Sequence, residues 1–158
     1  MDKKEILKNN LEYFFEKLDI HYQNFNLDNE DELIYMLHIN PYKYIKSEIL
    51  KSIGYIRVIL SSSIEQNTIA IACTGIYKLK DADSLLSTLV AVNNANSKLL
   101  FGNIFLRNKN EEISYYYRNK FKEITEDLDE NNFKSIITSL VSAIIIIYTE
   151  LEETEGKR

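Results

Sequence analysis

The sequence predicts an α+β domain, an antiparallel sheet flanked by helices, and three observations predict it. Apolar residues recur at helical spacing near both ends, over residues 6–18 and 133–151. Between them, residues 55–76 hold two stretches that alternate with a period of two, separated by the turn-like Glu65, Gln66 and Asn67. The resulting order is helix, strands, helix, two strands, helix, which suits helices packed on an antiparallel sheet. The chain has 158 residues, 45% of them hydrophobic and 27% charged, so one domain over 1–158 with a sizeable core is expected. A single proline and four glycines leave no flexible linker.

Each element has its own local reason. The first helix occupies about residues 1–19: Asp2 can cap it, and Ile6, Leu7, Leu11, Phe14, Phe15 and Leu18 form its stripe. A short extended piece is expected at residues 21–25, then an acidic turn, LDNED. The next stretch, ELIYMLHIN, reads as a strand or as a short helix, and Pro41 ends it either way. Residues 42–53 have helical spacing at Ile45, Ile49 and Ile53. In YIRVILSSS, Ile56, Val58 and Leu60 point one way, and Tyr55, Arg57, Ile59 and Ser61 the other. In TIAIACTGI, Ile69, Ile71 and Cys73 share one face; Thr68, Ala70, Ala72 and Thr74 give the hairpin a wet or small-residue face.

A second helix starts behind Asp81 or Asp83, and its stripe of Leu85, Leu86, Leu89 and Val92 is expected to face the core. The strands LLFGNIFL and EISYYYR follow, joined by the polar turn RNKNE. Ile104 and Leu106 share one face of the first strand; Ile113, Tyr115 and Tyr117 share one face of the second. The acidic ITEDLDENN reads as a loop. Asp129 caps the last helix, with Leu128 and Phe133 placed as a hydrophobic staple. Its stripe runs Phe133, Ile136, Ile137, Leu140, Val141, Ile144, Ile147, Tyr148 and Leu151. Ile145 and Ile146 fall outside that stripe, so either the first helix, with Phe14 and Phe15, or a second subunit must cover them. A homodimer through these two isoleucines is expected, since twofold dimers are the commonest oligomers. Residues 152–158 form a polar tail expected to fray.

Composition excludes several functions. The net charge of −5 disfavours nucleic acid and anionic membranes as partners. The apolar run IITSLVSAIIIIY is shorter than the roughly 20 residues of a spanning helix, so no membrane association is expected. The N-terminus lacks the apolar core of a signal peptide, and a lone cysteine, Cys73, fits a reducing compartment; a cytoplasmic protein is expected. Cys73, on the apolar face of a strand, reads as a buried inert thiol. His21 and His38 are far apart in sequence and with one cysteine do not make a zinc site, so no metal is expected. No phosphate loop, calcium loop or nucleophile–base pair is present, so neither cofactor nor enzymatic activity is expected. In SYYYR, Tyr115 and Tyr117 read as core-facing and Tyr116 as exposed, suited to a protein-binding surface.

Amides interrupt the second helix where its stripe would continue. Asn93 and Asn96 are three apart, hence on one face, which is expected to point at the core. Leaving a partly buried amide bare costs ~1–3 kcal/mol, so the two are expected to tie the helix end to the chain leaving it. Gly102, inside the next strand, marks close backbone approach or a bulge. On these residues the chain resembles the YbjN-domain family, whose pattern is an apolar helix ending in Asn-x-x-Asn, a small residue, a strand, a turn, a second strand and a long final helix. The resemblance covers about residues 55–151 best, while residues 42–53 look like an insertion. It implies a fold like that of type III secretion chaperones and an intracellular bacterial protein that binds other proteins or regulates, with no catalytic residues.

The expected function is therefore a non-enzymatic interaction module that binds a partner polypeptide along its sheet or final helix and self-associates. The alternative is a small-molecule-sensing regulatory domain. An interaction module needs a filled core and an exposed apolar patch; a sensor needs a concave pocket with convergent polar groups.

Overall fold

The structure is a computed structural model that describes residues 2–25, 28–107, 109 and 111–156. Six strands, β1 (His21–Phe25), β2 (Glu32–Ile39), β3 (Ile56–Ser63), β4 (Thr68–Lys78), β5 (Asn103–Arg107) and β6 (Glu112–Lys120), form one sheet in the order β1-β2-β3-β4-β6-β5. Every neighbouring pair is antiparallel. The helices are α1 (Lys3–Lys17), α2 (Glu48–Ile53), α3 (Leu85–Lys98), α4 (Ile124–Asp127) and α5 (Glu130–Gly156). The α+β class and the element order agree with the expectation.

Alternation settles ELIYMLHIN as a strand: Leu33, Tyr35, Leu37 and Ile39 are buried, while Ile34, Met36 and His38 on the other face are only partly so. The hairpin β3–β4 keeps the two faces read from its sequence, with Val58, Leu60, Ile69, Ile71 and Cys73 in the core. Helices cover that face. Asp2 caps α1 by accepting the Glu5 N–H at 2.8 Å. Phe15 packs on Tyr22 and Tyr35 of the sheet, with ring centroids 5.1 and 5.0 Å apart. Phe14 and Phe15 also meet Phe133 of α5, at 5.9 and 5.5 Å. They therefore bridge α1 to the start of α5 and do not cover Ile145 and Ile146. Those two are half-buried and pack against the core, on a helix that α3 lies along.

Several expectations are corrected. The acidic ITEDLDENN is not a loop: its first part is the short α4. Asp129 accepts the Asn132 N–H at 2.7 Å as α5 starts, and both Leu128 and Phe133 are buried. That helix continues through Gly156, so most of the polar tail is helical; residues 157 and 158 lie outside the described ones. With 27 residues, α5 is long and apolar enough to cross a membrane, but half of its most apolar window is buried inside the fold, where it acts as the core helix. The stretch before Gly102 is a bend, and β5 starts only at Asn103. Part of RNKNE lies outside the described residues.

The largest correction concerns α3. Its buried face is Thr88, Ala91, Val92 and Ala95. Asp81, which accepts the Ser84 N–H at 2.9 Å, caps the turn leading into it. Small residues at i, i+3, i+4 and i+7 let α3 come close to α5, and the leucines rotate outward.

The sheet also splits. The β3–β4 pairing runs from Ser63 opposite Thr68 to Ile59 opposite Ala72 and goes no further. Beyond it, β3 stays with β2 as far as Ile56 opposite Ile39. Meanwhile β4 stays with β6 through a bulge, since Cys73 faces Tyr115 but Tyr77 faces Ile113. Gly75, at φ 66°, supplies the left-handed turn that the bulge requires. A wedge opens between the two halves.

Candidate functional site

The Asn96 side chain takes both hydrogen bonds of one strand residue. Its amide nitrogen donates to the Ile104 carbonyl at 2.7 Å, and its carbonyl accepts the Ile104 N–H at 2.8 Å. Asn96 thus acts as a one-residue neighbour strand at the edge where β5 has no other partner. Asn93 does not share this role: it is exposed, because the whole helix is rotated from the expected orientation. Gly102 has φ 80°, and a Cβ there would clash with the hydroxyl end of the Tyr115 ring. The Tyr115 hydroxyl donates to the Phe101 carbonyl at 3.1 Å. Asn96, Gly102 and Tyr115 are brought together as one clasp between α3 and the β5–β6 hairpin.

Outside that clasp lies an apolar surface. Leu86, Leu89 and Val90 on α3 are 74%, 45% and 46% exposed; Leu100 and Phe101 beyond its end are 90% and 53% exposed. From Ser84 to Ser97 no residue is charged. A groove of about 210 Å³ runs beside Lys98, Leu99, Leu100 and Phe101, closed on the other side by Thr138, Ser139, Ser142 and Ile146 of α5; Lys98 is paired with Glu150. Ile146 therefore touches this surface, while Ile145 does not line it. The sequence reading missed Leu100 and Phe101 by placing them in a strand; their signal is an apolar pair directly before a glycine that needs positive φ.

On the uncovered face of the sheet, Tyr116 is exposed, as its place between Tyr115 and Tyr117 suggests. Its row runs from Met36 through Ile59 and Ala72. His21 and His38, distant in sequence, face each other across β1 and β2, and His38 faces Arg57 across β2 and β3. Strand pairing makes neighbours of the two histidines. Even so, the described residues hold no group of three side chains suited to a metal ion. Burial pushes the Cys73 thiol up to about 12, so it stays protonated.

The wedge is the remaining concavity. It measures about 500 Å³ and is lined by Ser52, Ile53 and Tyr55 behind α2, Ile56 and Arg57 of β3, residues 73–76 of β4, and Ile144 and Tyr148 of α5. The Tyr148 hydroxyl donates to the Ile76 carbonyl at 2.7 Å and so holds the bulge to α5.

This arrangement of a six-stranded sheet under α1, α3 and α5 is similar to a solved structure. YbjN from E. coli, described as a candidate transcription regulator, superposes with a TM-score of 0.53 over 92% of this chain and 93% of its own. The two are 10% identical, and the likeness is one of fold. The chain has a YbjN-like fold, as its asparagine motif and element order suggest. No protein-family profile matches the sequence, and no curated protein matches it.

Proposed function

We propose that the chain is a non-enzymatic protein-interaction module of the cytoplasm, and that it binds a partner polypeptide on the outer face of α3. One observation carries this reading: Leu86, Leu89, Val90, Leu100 and Phe101 are exposed on and beyond a helix uncharged from Ser84 to Ser97, beside a groove whose one charged lining residue is Lys98. Fully exposing a leucine instead of burying it forfeits ~1.5–3 kcal/mol, so a cluster of such residues marks a surface that a partner covers. An amphipathic or extended segment would set one side chain in the groove against Ile146 and cover the leucines with the rest. Regulation through such a contact is consistent with the description of YbjN. Self-association through Ile145 and Ile146 has less support, because both already pack on the core.

The test uses Leu86→Glu with Leu89→Glu. Wild-type and variant proteins, matched in melting temperature, are immobilised and exposed to extract of the native cell. A partner retained by the wild type and lost by the variant is the expected result. Equal capture by both removes the reading. Light scattering at tens of micromolar, a range set by ordinary transient affinities, shows whether the partner is a second copy.

A further inference from the structure

We propose that the wedge between β3 and β4 binds a small apolar monocarboxylate, with Arg57 gripping the carboxylate and the floor of the wedge holding the hydrocarbon. This inference is independent of the docking face on α3, which lies elsewhere on the molecule.

Charge points to an anion. The chain carries −5 overall, yet Arg57 is the one charged residue that lines the wedge. Glu112 approaches Gly75 from β6 but is not among the lining residues. Among the described residues Arg57 has no ion pair, and its side chain is exposed. Arg57 alternates with the buried Ile56 and Val58, so its guanidinium leaves the sheet on the uncovered face, at the mouth of the opening. A guanidinium presents a planar fork that matches a carboxylate through two parallel hydrogen bonds. Exposed Thr74 adds a hydroxyl to the lining, while the Ser52 hydroxyl is already given to the Ile49 carbonyl at 2.8 Å.

The floor asks for hydrocarbon. Ile53, Ile56, Ile76 and Ile144 line it, Ile53 being the most open of the four, and the two polar side chains beside them, Cys73 and Tyr148, are buried or already bonded. The Tyr148 hydroxyl is committed to the Ile76 carbonyl, and the Cys73 thiol is buried. One cation beside a few isoleucines suits a singly charged amphipath better than a phosphate, which needs several donors. About 500 Å³ is ample for a chain of roughly eight carbons, within the usual range of small-ligand sites. The splay itself is built in: the bulge at Gly75 leads β4 away from β3, and Tyr148 fixes it there.

Octanoate is the probe, with neutral octanamide as its control, titrated into isotope-labelled protein and followed by amide chemical shifts. Saturable shifts are expected at Arg57, Thr74, Gly75 and Ile76. Octanamide is expected to bind at least about tenfold more weakly, and Arg57→Gln to weaken octanoate by a similar factor, as loss of a charged hydrogen-bond pair implies. Thr74→Trp, at an exposed position, fills the wedge and is expected to abolish the shifts. Equal binding of octanoate and octanamide overturns the proposal, as does unchanged affinity in Arg57→Gln. Shifts confined to Leu86 and Leu89 on α3, or no saturation by about 10 mM, overturn it as well.

Discussion

The amide of Asn96 and the backbone of Ile104 form a closed pair of hydrogen bonds at a position where the strand residue is almost wholly buried. Asn96→Ala leaves a donor and an acceptor unpaired there and should cost ~1–3 kcal/mol, read as a lower urea midpoint at unchanged slope. Asn93→Ala, at an exposed position, should stay within about 0.5 kcal/mol of the wild type. Gly102 answers to two constraints together, a positive φ and the Tyr115 ring. Gly102→Ala should therefore cost more than about 1 kcal/mol. The clash belongs to the ring, so the same substitution in a Tyr115→Ala background should cost less. Equal costs in both backgrounds would show that backbone conformation alone matters.

At the scale of elements, α3 is an amphipathic helix turned away from its leucines. Two helical stripes compete in its sequence. One is large and apolar (Leu85, Leu86, Leu89, Val92); the other is small (Thr88, Ala91, Val92, Ala95), and the small one faces inward. Its stability should follow the small stripe. Ala95→Leu, which overpacks the contact with α5, should destabilise by ~1–3 kcal/mol. Leu86→Glu and Leu89→Glu should each leave thermal unfolding within about 0.5 kcal/mol of the wild type. For α5, Ile145→Glu with Ile146→Glu should destabilise the subunit itself, because both side chains pack on the core. A folded double variant of unchanged melting temperature would assign these residues to an interface instead.

The whole molecule has an alkaline limit set by its buried acids. Burial pushes the Cys73 thiol and the Tyr44 hydroxyl up to about 12. It also raises Tyr35, assisted by the charge of Glu12, and Tyr115. In the unfolded chain a thiol ionises near ~8.5 and a phenol near ~10. Between those values and the folded ones, the unfolded state has lost protons that the native state keeps, so stability falls as pH rises. The full contribution is present below pH ~8.5 and is lost progressively above it. Urea midpoints measured from about pH 7 to 11 should be level at first and then decline; a flat profile to the alkaline end would contradict the burial of these groups.

By itself, the sequence determined whatever depends on short-range periodicity. The α+β class, the faces of β3 and β4, the caps at Asp2 and Asp129 and the stripe of α5 all follow from which residues lie two, three or four apart. The need of Asn96 for partners was legible too, because a half-buried amide needs them wherever it sits. Tertiary structure decided everything that depends on which surfaces meet. Periodicity offers α3 two stripes, and only the close approach to α5 selects the small one and leaves Leu86 and Leu89 outside. Strand order places His21 beside His38, a pairing with no trace in their separation along the chain. The wedge exists because β3 follows β2 while β4 follows β6, a divergence between strands that are continuous in sequence and carry unbroken alternation up to the point where they part. Local patterns set the conformation of each segment, but long-range packing sets its rotation and its neighbours, and those two choices position every candidate site in this protein.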